Sequence, residues 1–489
     1  MRLLAALVLS LGAAPLLLAE GGEAPAARVS TQAGGKVLVA ELPGPVVSAL
    51  VAGQGEGKGG VFLLVRPQGE VDGERSLYFL DPRGKGRLSL VRSGLPGGAK
   101  ALDVLELQGS GQPELVLGTL GQLFSLGPLN AIAAAGPLAQ RIDHPGFDLR
   151  SLSPSPLRVA GSGRELAVAE PGFLRLYRPD GRGGVSVAAR LALPLSARRE
   201  PTGLAVTSPP VHRLAGAEGQ PDLYASGPLR HGNRRVSSVL LDTATGEHLE
   251  AWGRLPGAEK VEQSWYLRVD GRPCLIVTSQ TADELNLLEK KRLRVFPLAA
   301  DRTRAGKLPL AQLETSITRW FDMSADVADL DGDGRQDLLL AGPDGLQGDN
   351  LGVFVHPGLG GGRFGVQARK VEIKQTPERW KLVGDLSGDG AADLVAVHEG
   401  ALEVWPTSPK GRPLARQPSF RFELPAAGKA ERSVSVGAGE EGAETRRDQR
   451  GGWDDLTAVD LDGDDQLEIL LLAVDLAGRG RLVIARPKP

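Results

Sequence analysis

Asp329, Asp331, Asp333 and Asp337 stand at positions one, three, five and nine of a nine-residue stretch that also holds Gly332 and Gly334. Alternate side chains of a tight turn converge on one point, and glycine permits such a turn because it tolerates positive φ. The chemistry on offer is coordination of a hard cation, since Ca²⁺ takes about six to eight oxygen ligands. The plain alternative is a solvated acidic turn. Two further stretches repeat the spacing: Asp385, Ser387, Asp389 and Asp393, then Asp460, Asp462, Asp464 and Glu468. An EF-hand would place a bidentate Glu at the twelfth position and helices on both sides. The twelfth positions here are Leu340, Ala396 and Leu471, and short apolar runs follow each loop. These loops join strands.

The elements that position them repeat along the whole chain. Aligned on the ninth loop residue, eight units appear, anchored at Gly60, Glu114, Glu165, Asp222, Cys274, Asp337, Asp393 and Glu468. Each anchor leads into an apolar run, at intervals of roughly 50–75 residues, a period that marks repeat architectures. Each unit has one grammar: strand, tight loop, buried strand, turn, strand, turn, outer strand. In the seventh these are Leu382-Val383, Asp393–Val397, Ala401–Trp405 and Phe420–Leu424. Four-stranded units at this period predict an all-β fold, a single eight-bladed β-propeller over residues 28–489, with seven blades as the alternative. The eighth unit supplies a third strand at Arg481–Arg486 and no fourth, while Lys36–Pro43 belongs to no unit. The N-terminal strand is therefore expected to complete the last blade and hide its edge.

Composition narrows the function. The chain of 489 residues holds 66 Gly and 35 Pro, which favours turns over long helices. A net charge of −2 gives no nucleic-acid footprint. Cys274 is the single cysteine, so no intrachain disulfide forms, and its apolar surroundings suit a buried strand. The six histidines are scattered, and neither a His-Glu-x-x-His nor a Gly-x-Ser-x-Gly pattern occurs. Residues 1–26 read as a signal peptide: Arg2 precedes an apolar run from Leu3 to Leu18, and small residues near 19–26 offer cleavage points. The expectation is an exported protein, periplasmic or extracellular, with no membrane span in the mature chain. Millimolar Ca²⁺ outside the cell suits the loops.

Asp-x-Asp-Gly-Asp-Gly-x-x-Asp-Leu followed by an apolar strand and Ala341-Gly342-Pro343 resembles the FG-GAP repeat of integrin α heads and the related VCBS repeats of secreted bacterial proteins. The likeness is strongest in units six to eight. It implies two to three structural Ca²⁺ sites. In unit six the implied ligands are Asp329, Asp331, Asp333, the carbonyl of Arg335, and Asp337. In unit seven they are Asp385, Ser387, Asp389, the carbonyl of Ala391, and Asp393, with Ser387 in place of a carboxylate. In unit eight they are Asp460, Asp462, Asp464, the carbonyl of Gln466, and Glu468, with Asp465 where the family has glycine. Unit two keeps oxygen at Glu106, Gln108, Ser110 and Glu114. Units three to five have lost the pattern, and a bare turn suits them better.

Long connections mark where a rigid scaffold carries function. Ala426–Gly452, Thr281–Lys291 and Pro343–Leu351 fall, by strand order, on the face opposite the calcium loops, the ligand face in integrins. Trp320, Trp380 and Trp453 precede the first strands of units six to eight, where they would gather at the channel mouth and meet a sugar or peptide. The other reading of these rings is packing between blades. The expected function is a protein- or carbohydrate-binding interaction module, without a catalytic residue assigned. The alternatives are an extracellular polysaccharide lyase or hydrolase and an envelope scaffold. A single stretch from Leu241 to Trp252 is similar to the tryptophan-docking motif of quinone-dependent dehydrogenases, and is read as a hairpin turn.

Overall fold

A computed structural model describes most of residues 26–487. The longer stretches outside that description are 1–25, 53–58, 130–139, 143–156, 160–165, 193–210, 214–222, 242–247, 253–259, 281–290, 298–309, 316–322, 408–413 and 425–451. Among the described residues the chain is all-β, and no helix is long and apolar enough to cross a membrane. Eight sheets of three to five strands follow one another along the sequence, with one further two-stranded ribbon at Gly358–Gly360 and Arg363–Phe364. Within a sheet, consecutive strands lie side by side and antiparallel. Unit six runs Ser324–Ala328, Asp337–Asp344, Asn350–His356 and Arg369–Ile373. Unit seven runs Arg379–Val383, Asp393–His398, Ala401–Trp405 and Phe420–Glu423.

The second strand of a unit is an unbroken apolar run because both of its faces are covered. All residues of Gly60–Val65 and Asp337–Asp344 are buried. Alternate residues of a strand point to opposite faces, and each face meets a different neighbouring sheet. Leu338, Leu340 and Phe354 pack with Ile276 and Leu293 of unit five. Leu339, Ala341 and Val353 pack with Leu382 and Leu394 of unit seven. Val395 and Val397 then meet Ile469 and Leu471 of unit eight. Leu470 and Leu472 meet Ala49 and Val61 of unit one. Leu50 and Leu64 meet Leu102 and Leu115 of unit two. The core therefore lies between sheets stacked face to face in succession, and the last stacks on the first. That arrangement is a β-propeller.

Closure is made by the N-terminal strand. Gly35–Glu41 pairs antiparallel with Gly480–Pro487, from Gly35 opposite Pro487 to Glu41 opposite Arg481. Leu42 N–H donates to Gly480 O at 2.9 Å, and Gly480 N–H donates to Gly44 O at 2.9 Å. Ala26–Gln32 folds back on Gly35–Glu41, so the last sheet has five strands.

Two expectations need correction. In unit three, Leu157–Val159 does not pair with its own second strand, Leu166–Glu170. It pairs in parallel with Ala49–Val51 of unit one. Counted back from Glu165, loop positions one, three and five are Leu157, Val159 and Gly161, none of them a carboxylate. The strand instead covers the open edge of the first strand of unit one. In unit six the long connection is shorter than Pro343–Leu351. Those two residues are ladder partners, because the buried runs carry both strands further outward, to Asp344 opposite Asn350.

Candidate metal centre and its sister loops

Loop six joins Ser324–Ala328 to Asp337–Asp344. Asp329 Oδ2 accepts the N–H of Gly334 at 2.9 Å, Asp331 Oδ1 that of Asp333 at 3.3 Å, and Asp333 Oδ1 that of Arg335 at 2.8 Å. Gly334 sits at φ 82°, where a side chain would be strained. These turns bring one carboxylate oxygen each from Asp329, Asp331 and Asp333 within 4.8 Å of one another. Asp331 and Asp333 are exposed and Asp329 is half-buried. Arg335 Nε lies 3.8 Å from Asp333 Oδ2. Among the described residues this is the one group of three ligand-type side chains.

Asp337, at position nine, has a different task. It is buried, accepts the N–H of Leu330 through Oδ2 at 3.2 Å, and accepts that of Gly358 through Oδ1 at 2.6 Å. Burial pushes its carboxyl above the usual range, and the charges of Asp331 and Asp333 add to the rise. Loop six also leans on unit five. Gln336 Oε1 accepts the N–H of Asp270 at 2.7 Å, and Asp270 Oδ2 accepts that of Gly362 at 3.3 Å. Asp270 and Gly271, at φ 48° and 73°, form the two-residue turn of unit five.

Loop seven repeats the brace. Asp393 is fully buried. Its Oδ2 accepts from Leu386 N at 2.8 Å and Ser387 N at 2.7 Å, and its Oδ1 accepts from Thr407 N at 3.2 Å. Burial raises its pKa to about 6, against the pull of these donors. Asp385 spends both oxygens on the N–H groups of Gly388, Asp389 and Gly390 at 2.7, 3.1 and 2.7 Å. Asp389 Oδ1 accepts from Ala391 N at 3.0 Å, and burial raises its pKa as well. Ser387 Oγ donates to Asp393 Oδ1 at 3.4 Å. The loop carboxylates are thus directed to backbone donors more than to one another.

In loop eight Glu468 Oε2 accepts from Leu461 N at 2.8 Å, and Asp464 Oδ1 from Gln466 N at 3.0 Å. Arg486 donates to Glu468 Oε1 and, at 3.3 Å, to Asp464 Oδ2. Asp460 is half-buried, while Asp462 and Asp465 lie outside the described residues. In unit two the ninth acid, Glu114, is buried and accepts from Ser125 Oγ. Glu106 is half-buried, Gln108 is exposed, and Ser110 lies outside the description.

A rule emerges that the spacing alone did not supply. In loops six to eight the ninth acid caps the N–H of a buried leucine at position two, Leu330, Leu386 or Leu461. The repeated leucine was the available signal. Gly358, Thr407 and Arg486, which complete each brace from the end of the third strand, carried no shared residue type that would reveal them.

Of the three tryptophans, the structure describes the surroundings of Trp380 alone. Trp380 lies within the strand Arg379–Val383, half-buried against the cluster of Leu330, Leu382 and Leu394 between units six and seven. Trp453 lies within Gly452–Val459, and Trp320 is outside the described residues. The connections expected at 281–291 and 426–452 also fall largely outside the description. One polar cluster went unnoticed in the sequence. Glu403, buried in unit seven, contacts Arg421, His398 Nδ1 at 3.3 Å and Trp405 Nε1 at 3.0 Å.

The fold and these loops define a β-propeller with acid-braced connections between its inner strands. No protein-family model and no curated protein matches the chain. Solved structures similar to it include Sqt1 from Chaetomium thermophilum, at 14% identity and TM-score 0.46, covering 92% of this chain and 97% of that one. The Dos1 propeller is 12% identical at TM-score 0.40, covering 91% and 92%. The periplasmic gluconolactonase PpgL of Pseudomonas aeruginosa is 15% identical at TM-score 0.35, covering 78% and 96%. No activity, substrate or partner is taken from likenesses of this degree.

Proposed function

We propose that the chain is an exported, Ca²⁺-stabilised propeller of the FG-GAP and VCBS type, eight-bladed, serving as an interaction module for a protein or glycan. The observation that carries the calcium reading is the convergence of Asp329, Asp331 and Asp333 in a turn whose backbone already points their oxygens inward. Three carboxylates with the carbonyl of Arg335 form a hard-oxygen donor set that fits Ca²⁺. The ion's part is structural: it neutralises the loop and fixes the exit of the inner strand. Loop seven, with Ser387 in the third position, is the weaker candidate.

The binding role rests on a rigid frame whose remaining variety lies in its connections. Recognition is assigned to the face opposite the acidic loops. The test is affinity capture from an envelope extract and from a glycan array, in Ca²⁺ and in chelator. A partner held in Ca²⁺ and released by chelator supports the reading. Turnover of a polysaccharide by the purified protein would overturn it in favour of an enzyme.

A further inference from the structure

Arg486 occupies a position that units two, six and seven give to proline. The ladder of unit two pairs Glu114 with Pro128. In unit six Leu338 pairs with His356, so the residue facing Asp337 one step on is Pro357. In unit seven Leu394 pairs with Trp405, so Asp393 faces Pro406. In unit eight Ile469 pairs with Ala485, and Glu468 faces Arg486. Proline brings no charge to the ninth acid. The guanidinium brings a full one and reaches both Glu468 and Asp464, positions nine and five of the loop.

We infer that loop eight is not a metal site and that Arg486 is its resident cation. A divalent ion and a guanidinium cannot both take Asp464 Oδ2 and Glu468 Oε1, the oxygens that Arg486 contacts: the two positive charges would repel at contact distance. The arginine has the better claim. It is tethered in the sheet, it faces Glu468 directly across the ladder, and a planar fork suits two carboxylates. Its strand is also the one on which the N-terminal strand closes, with Lys36 opposite Arg486 on the other side. Neutralisation of loop eight is therefore part of ring closure, and this blade holds its geometry without calcium. The inference deepens the calcium reading of loop six and rests on the loops being variants of one design.

The experiment measures Ca²⁺ bound per full-length mature chain by equilibrium dialysis, with melting curves in Ca²⁺ and in chelator. Wild type is compared with Asp464→Asn, Arg486→Gln and Arg486→Lys. Asp464→Asn is expected to leave bound Ca²⁺ unchanged. Arg486→Gln is expected to lower the melting temperature in chelator and to regain part of it in Ca²⁺, with about one more ion bound, because the uncovered carboxylates then suit the ion. Arg486→Lys should keep the wild-type stoichiometry, and serves where the glutamine variant does not fold. Loss of one Ca²⁺ on Asp464→Asn would overturn the inference, as would a glutamine variant that melts like wild type in chelator. Asp331→Ala in parallel reads loop six alone. If it leaves bound Ca²⁺ unchanged, the calcium reading of loop six fails, while the gain of an ion in Arg486→Gln still decides loop eight.

Discussion

Leu38 and Ile484 are ladder partners, although nearly the whole chain lies between them. Both are buried in the cluster that joins the last unit to the first. Deleting residues 28–44 removes this strand, exposes the edge of Gly480–Pro487, and uncovers one face of that cluster. A large fall in melting temperature is expected, with aggregation through the open edge. Leu38→Ala alone is expected to cost about 2–4 kcal/mol. A truncated protein with an unchanged melting curve would refute closure by this strand.

Chelation should lower the melting temperature of the protein, since an ion bound only by the native state stabilises it by mass action. At a free Ca²⁺ about 100 times its Kd the effect is about 2.7 kcal/mol. Asp331→Ala removes an exposed carboxylate whose one backbone contact in the turn is long, 3.3 Å from Asp333 N, so it should abolish most of the Ca²⁺ dependence while changing stability in chelator only slightly. Differential scanning calorimetry with and without chelator reads both. A chelator-insensitive wild type would reduce the loops to acidic turns.

The ninth acids should matter whether or not an ion is present. Asp393→Ala leaves the N–H groups of Leu386, Ser387 and Thr407 without their acceptor in a buried place. Unsatisfied buried groups cost about 1–3 kcal/mol each, so urea unfolding in chelator should show a loss of about 3 kcal/mol or more. Ser387→Ala, which removes a 3.4 Å contact to Asp393 and a side-chain hydrogen bond to Asp389 but no buried backbone acceptor, should cost far less. Equal effects would mean the brace is not what holds the loop.

His356 provides a pH test away from the loop carboxylates. Its Nδ1 lies 2.9 Å from Gly365 O, its Nε2 is buried without a hydrogen-bond partner, and burial lowers its pKa. A lowered histidine favours the neutral form in the folded state. Its contribution is full above the unfolded value of about 6.5 and is lost as pH falls below it, by at most about 1.4 kcal/mol per pH unit. His356→Leu should flatten the decline in stability between pH 6.5 and pH 5. An unchanged slope would show that the imidazole is charged or solvated in the folded protein.

Trp380 separates packing from recognition. Its ring is half-buried between units six and seven. Trp380→Ala should cost about 2–3 kcal/mol of stability, below the figure for a fully buried ring. Any glycan or peptide binding of the native protein should survive in folded Trp380→Ala. Loss of binding at unaltered stability would return this ring to the ligand face.

Much of the frame was legible because strand periodicity and turn chemistry are local. Asp393–Val397 and Ala401–Trp405 were expected from their apolar runs, and the structure extends the first by one residue and keeps the second. The N-terminal strand was placed by arithmetic, since one unit lacked a strand and one strand lacked a unit. Leu157–Val159 escaped because its choice of partner is a competition between two edges. Its own sequence holds neither edge, so the outcome could not be read from it. The setting of Trp380 was not legible because a large aromatic beside arginine looks alike in a binding site and in a packed seam. Only the neighbouring sheet, with Leu330 and Leu382, decides between them.

The acidic loops divide the same way. Carboxylates at positions one, three and five, with glycine between them, are a local property, and the sequence by itself determined that oxygens would converge near Asp331. The role of the ninth acid is not local. Asp337, Asp393 and Glu468 look alike in sequence. Only the third strand, arriving from about 20 residues away, decided that the first two meet backbone N–H groups while the third meets Arg486. A carboxylate's work depends on which donor the tertiary structure brings to its second oxygen.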